Sequence, residues 1–210
     1  MATNFLASRD RVAARRLAGA IVLTSVFSIA GCAAQRAVVV PAPNATLASE
    51  PGSAQGSDKG VTVVVQANAW NDFPRGLERD LVPLKVTISN HTGRPLAVRY
   101  DNFVLIAADN RRYSDIPPDQ IKGNDFERLA PYWAYSDAYY PIDVRLPTEA
   151  MLQQAISQGV VDDRAETSGF LYFPTPTEKS PAITFSAALV DARTGETFGV
   201  IDVPLRVEWF

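Results

Sequence analysis

A chain of 210 residues with 47 % hydrophobic and 20 % charged side chains has ordinary globular usage, enough for one or two domains. A net charge of −3 excludes a basic nucleic-acid footprint. One cysteine and one histidine exclude an intramolecular disulfide and a Cys/His zinc site.

The first element is a leader. Arg9, Arg11, Arg15 and Arg16 stand against a single acid, Asp10, and the run from Leu17 to Gly31 then carries no charge. A bilayer-spanning helix needs about 20 apolar residues, so this shorter run reads as the apolar region of a secretory signal peptide over residues 1–31. Ile29-Ala30-Gly31-Cys32 resembles the lipobox of bacterial lipoproteins. That resemblance implies cleavage between Gly31 and Cys32, a diacylglyceryl group on the Cys32 sulfur and acylation of the new amine. Two or three acyl chains anchor stably where one is marginal, because each buried CH₂ contributes about 0.8 kcal/mol. Ala33, in place of an aspartate, points by the same resemblance to the outer membrane, with the domain facing the periplasm. The leader holds four arginines and one aspartate, so the mature chain keeps 16 basic and 22 acidic side chains, net −6.

From residue 32 to residue 60 the chain is rich in Ala, Pro, Ser and Gly and lacks an amphipathic period. Such a stretch reads as a flexible tether, with a reach of roughly 30 Å from square-root scaling. An alternative for Ala37-Val38-Val39-Val40 is an edge strand.

Period-2 patterning starts at Val61 with VTVVVQANAW. In LVPLKVTISN, Val82, Leu84, Val86 and Ile88 share one face, and Pro83, Lys85, Thr87 and Ser89 the other. Asn90-His91-Thr92-Gly93 is a turn, Leu96 and Val98 alternate, and so do Phe103, Leu105 and Ala107. Asp109-Asn110-Arg111 predicts a tight reversal before Tyr113. Two longer strands surround a turn at Arg193-Thr194-Gly195, with Val203, Leu205, Val207 and Trp209 alternating in the second.

A helix is predicted over residues 148–158, with Thr148 as N-cap, Glu149 in the first turn and Gly159 as a left-handed cap. Its apolar stripe is Met151, Leu152, Ala155 and Ile156, placing it over one end or edge of a sheet. Short strands separated by turns, without helical crossovers, predict a mainly β fold, an antiparallel β-sandwich over residues 61–210.

The segment Val82 to Pro118 resembles the core hairpins of small bacterial immunoglobulin-like accessory domains. The matching pieces are Ile88-Ser89-Asn90, Gly93, Pro95, Phe103-Val104-Leu105 and Tyr113. Glu166 to Pro174, ETSGFLYFP, is similar to a second piece that recurs in uncharacterised lipoproteins of this kind. The resemblance implies an immunoglobulin-like sandwich that binds, protects or assembles, and it implies no catalytic residue.

A catalytic set is not legible either. His91 lies in a turn and no Gly-x-Ser-x-Gly nucleophile elbow occurs. Asn90-His91-Thr92 fits a glycosylation sequon, incidental in a bacterial lipoprotein. Asp162-Asp163, Asp101, Asp109 and Asp115 lack the spacing of a calcium loop. The expectation is a non-enzymatic protein with no cofactor and no metal.

The remaining signal is LAPYWAYSDAYYP, Leu129 to Pro141, read as a Pro-bounded loop. Its Tyr132, Trp133, Tyr135, Tyr139 and Tyr140 suit a binding hot spot for an envelope protein or a glycan. The competing reading is a loop folded back so that these rings cover the sheet edge. Three functions stay open: a membrane-tethered binding or assembly module, a glycan or peptidoglycan binder or hydrolase, and a structural surface protein without a dedicated ligand.

Overall fold

The computed structural model describes residues 37–79, 81–129, 140–176 and 181–209, and for 124–129 and 140–144 the backbone alone. Fourteen strands, one short α-helix and three single-turn 3-10 helices occur among these residues. The first eight strands are β1 (Ala37–Pro41), β2 (Thr46–Leu47), β3 (Ser53–Asp58), β4 (Val61–Gln66), β5 (Leu81–Asn90), β6 (Leu96–Val98), β7 (Phe103–Ala107) and β8 (Arg112–Ser114). There follow β9 (Gly123–Leu129), β10 (Tyr140–Leu146), α1 (Glu149–Gln154), β11 (Gly159–Val161), β12 (Glu166–Pro174), β13 (Ala182–Asp191) and β14 (Thr197–Trp209).

The strands form two main antiparallel sheets, as the alternating patterns predict. In the first, β1 pairs with β14 and β14 with β13. The start of β13 then pairs with β7, which pairs with β8, while its end pairs with β6, which pairs with β11. The second sheet runs β12-β5-β4-β3-β2. Alternation places Val61, Val63 and Val65 of β4 and Val82, Leu84, Val86 and Ile88 of β5 in one core cluster. Phe185 of β13 and Val203, Leu205 and Val207 of β14 face them from the other sheet. Phe173 of β12 meets Phe185 edge-on, with centroids 6.2 Å apart, and Phe185 stacks on Phe103 at 6.0 Å. Each such buried side chain contributes roughly 1.5–3 kcal/mol relative to exposure, which makes this interlayer core the main stabilising element. The two-layer β-sandwich expected from the sequence is therefore present.

The tether is the first correction. Residues 37–60 are not a linker, because β1, β2 and β3 lie within them and Ala37, Val39 and Ala54 are buried in the core. β1 is the edge strand that the alternative reading allowed, paired with β14 from Ala37↔Trp209 to Pro41↔Leu205. The small residues that resembled linker composition are there for close approach. A Cβ at Gly56 of β3 would lie 2.6 Å from Ile201 Cγ2 and 3.3 Å from the Asp202 carbonyl oxygen of β14. Glycine at that point lets the edges of the two sheets meet.

The helix is the second correction. Thr148 does cap it, accepting from the Met151 amide at 3.3 Å, but the helix ends at Gln154 instead of residue 158. Ala155 turns into an extended conformation and bridges to Phe170, and the Ile156 amide donates to the Phe170 carbonyl at 2.9 Å. Edge pairing thus interrupts the helical register. Gly159 does not cap the helix but begins β11, and Leu152 is solvent-exposed.

β12 is covered on both faces from Gly169 to Phe173. Leu171 and Phe173 face the interlayer core, whereas Phe170 and Tyr172 point the opposite way into a second cluster. That cluster contains Trp70, Leu77, Leu81, Ile121, Leu146 and Met151. Residues around Trp70 and Leu77, those from Ile116 to Ile121 and those from Leu146 to Ala155 therefore build a lid over this part of the sheet, with α1 in it.

Candidate functional site

The lipidation and cleavage residues, Cys32 and Gly31, lie outside the described residues, as do Tyr132, Trp133, Tyr135 and Tyr139 of the aromatic segment. What flanks that segment is described, and it is not loop. β9 and β10 pair antiparallel over seven positions, from Gly123↔Leu146 to Leu129↔Tyr140, as a two-stranded ribbon separate from both sheets. Tyr140 is the first residue of β10, so it belongs to a strand and not to the expected loop. Alternation is hard to read in Gly123–Leu129 because its residues, GNDFERL, are mostly polar.

A groove opens on the outer face of the second sheet. Its register aligns Gln55, Val64, Thr87 and Ser168 in one row across four strands, and Ser57, Thr62, Ser89 and Glu166 in the next. Gln66 lies directly opposite Lys85. Hydroxyls satisfy one another within the rows: Thr87 Oγ1 and Ser168 Oγ are 2.9 Å apart, as are Ser57 Oγ and Thr62 Oγ1. Ser89 Oγ donates to Glu166 Oε2 at 2.6 Å. Ala48, Ser49 and Glu50 of the turn after β2, together with Glu166, also line this half-open groove of about 360 Å³. Among the described residues, Gln55, Gln66 and Lys85 make no side-chain hydrogen bond or ion pair. Sequence reading placed Lys85 on the polar face correctly. It missed Gln55, which fell in the supposed tether, and did not single out Gln66.

The acids singled out from the sequence are not gathered. His91 is exposed in its turn. Asp163 accepts from the Gly93 amide at 2.8 Å, and Asp109 pairs with Arg111 at 3.1 Å. Among the described residues, no group of three or more His, Cys, Asp or Glu side chains is placed to hold a metal ion.

Asp115 stands apart. It is 8 % exposed, lies just after β8, and its Oδ1 accepts the Tyr172 amide of β12 at 2.8 Å. The Ile116 amide donates to the Tyr172 carbonyl at 2.8 Å, so residues 115 and 116 seal the free edge of β12. Oδ2 is buried without a partner. Burial pushes the carboxyl up to about 8, against the lowering effect of the Tyr172 and Ile116 amides. Tyr172 Oη donates to the Met151 carbonyl at 3.0 Å, and Tyr100 Oη to the Ile156 carbonyl at 3.2 Å. Burial raises both phenols, with the Asp115 charge adding to each. These bonds tie the lid to the sheet, and the arrangement is that of an edge seal.

Asn90, the end of the Ile-x-Asn piece, is a structural hub. It is fully buried, and its Nδ2 donates to the carbonyls of Arg94, Val161 and Asp162 at 2.8, 2.9 and 3.1 Å. Its Oδ1 accepts from the amide and the hydroxyl of Thr92.

Strand pairing and the two-layer core define a mainly β protein of the sandwich class. No family model and no curated protein matches the sequence. Solved structures with a detectable likeness include the YjhA protein of Bacillus subtilis, with a TM-score of 0.41 and 10 % identity over 67 % of this chain and 82 % of that one. The secreted protein MPT63 of Mycobacterium tuberculosis has a TM-score of 0.31 and 10 % identity over 68 % and 90 % of the two chains. A functionally unknown protein of Listeria monocytogenes EGD-e has a TM-score of 0.38 and 10 % identity over 79 % and 86 %.

Proposed function

We propose that this protein is a non-enzymatic envelope lipoprotein. Acylated Cys32 anchors it in the outer membrane, and the sandwich binds or assembles with another envelope component. The observation that carries the reading is a distance along the chain: β1 begins at Ala37, five residues after Cys32. At about 3.4 Å per residue the link spans no more than roughly 17 Å. The anchor therefore holds the domain against the lipid headgroups, with no long tether between them, and any partner is met close to the membrane surface. The ribbon of β9 and β10 supplies an arm, since the segment joining its strands carries Tyr132, Trp133, Tyr135 and Tyr139, residue types that dominate binding hot spots.

The test combines metabolic labelling with an alkyne fatty acid and in-cell photo-crosslinking from position 133. The wild-type chain is expected to take up label and fractionate with the outer membrane, and Cys32→Ala to lose both. A discrete crosslinked adduct identifies the partner. A wild-type chain that takes up no label and is recovered in the soluble fraction overturns the anchor. Absence of any adduct in an intact envelope overturns the aromatic arm.

A further inference from the structure

The groove on the outer face of the second sheet holds three polar side chains, Gln55, Gln66 and Lys85, with no internal partner among the described residues. We propose that it binds a neutral, hydroxyl-rich saccharide, held by Gln55, Gln66 and Lys85 over a floor centred on Val64. The inference stands on the groove alone and needs neither the lipid anchor nor the ribbon, so its failure leaves both readings intact.

The lining selects the chemistry. Gln55 and Gln66 each present an amide donor and acceptor, Lys85 an ammonium donor, and Glu50 and Glu166 carboxylate acceptors, within about 360 Å³. That volume lies in the range of roughly 300–1,000 Å³ typical of small-ligand sites. An apolar occupant would strip water from two amides and an ammonium group and return no hydrogen bond, at a cost for each group. An anionic occupant would meet two carboxylates, Glu50 and Glu166, against the single ammonium of Lys85. An added peptide strand has no place on the floor, because β4 and β5 are paired on both sides and offer no free backbone edge. A sugar hydroxyl both donates and accepts, so one ring can satisfy amide, ammonium and carboxylate together. The C–H face of the ring also needs an apolar patch, and the floor has one. Val64 is the apolar side chain among the outward positions Thr62, Val64 and Gln66 of β4, and Ala48 adds a methyl group on the wall. The hydroxyls of Thr87 and Ser89 are already held by Ser168 and Glu166, which keeps the floor rigid and leaves the longer side chains as the reading groups.

The experiment uses the full chain in a non-sugar detergent, applied to a printed array of neutral and acidic bacterial-surface glycans. The best neutral binder is then titrated calorimetrically, with the trimer of β-1,4-linked N-acetylglucosamine and maltotriose as soluble probes. The expected result is saturable binding of a neutral glycan that weakens at least about tenfold in Gln66→Ala combined with Lys85→Ala. The melting temperature should be unchanged, since neither side chain makes an internal bond. Retention of no neutral glycan overturns the proposal. Undiminished binding in the double variant places the site elsewhere, the aromatic segment included, and overturns the groove. A clear preference for acidic glycans overturns the assigned occupant.

Discussion

Replacing Asp115 by asparagine tests whether the lid over β12 is held by a buried, protonated acid. The carboxyl accepts the Tyr172 amide through Oδ1, leaves Oδ2 buried and unpaired, and titrates at about 8 because burial outweighs the two amide contacts. In the unfolded chain an aspartate titrates near 3.9. Between these values the folded protein keeps a proton that the unfolded chain has released. The group's stabilising contribution is therefore complete below about pH 4 and lost as pH rises through about 8. One proton over roughly four pH units gives a ceiling of about 5 kcal/mol, from 1.36 kcal/mol per unit. Half of that ceiling corresponds to a fall in Tm of roughly 5–10 °C for a domain of this size. The asparagine side chain mimics the protonated acid: it keeps the acceptor for Tyr172 and has no charge to lose. The neighbouring phenols of Tyr100 and Tyr172 are raised and stay neutral through this window, and Asp119 is exposed. The assay is thermal unfolding of wild type and Asp115→Asn by circular dichroism from pH 4.5 to 8.5. The two curves should start close together at acid pH and diverge with rising pH, with the variant more stable at the alkaline end. Parallel pH profiles would refute the reasoning. So would a carbon-detected titration showing the Asp115 carboxyl ionised at pH 5, a measurement that does not depend on the variant folding.

Three further perturbations probe the frame. Gly169→Ala puts a Cβ 2.5 Å from the Ile156 nitrogen and 2.8 Å from the Ala155 carbonyl carbon, so the bridge from Ala155 to Phe170 must open. Overpacking of this kind costs about 1–3 kcal/mol, read as a lower urea midpoint, and an unchanged midpoint would mean that the bridge is dispensable. Asn90→Ala removes the hub that pairs three carbonyls and should cost about 2–4 kcal/mol in chemical unfolding, whereas a loss below about 1 kcal/mol would show that water replaces it. Deleting residues 37–60 removes β1, β2 and β3 and should abolish cooperative unfolding, while deleting residues 33–36 should preserve it; a folded chain starting at residue 61 would restore the tether reading.

Alternation made the inward face of β5 legible, because Lys85, Thr87 and Ser89 interleave with Leu84, Val86 and Ile88 and leave a single side to bury. The same local logic located the turn at Asn110, which has φ of 68°, and the Thr148 cap, whose capped amide is that of Met151, three residues on. It failed where the deciding contact comes from far along the chain. Gly56 looks like linker until Ile201 and Asp202 of β14 lie against it, and Ala54 until the core closes over it. Ala155 and Ile156 continue a helical stripe until the edge of β12 claims their backbone. Of the candidate site, sequence supplied the polar character of Lys85. The groove needed Gln55, Gln66 and Lys85 to come from three strands, and no short-range pattern records that meeting. By itself the sequence determined the β class and the faces of its longest strands, since periodicity and composition act within a few residues. Tertiary structure alone decided that β1, β2 and β3 belong to the sandwich, that Asp115 is buried and that the outer polar face carries a groove. Each of these follows from packing between strands distant in sequence, where close approach and desolvation outweigh local preference.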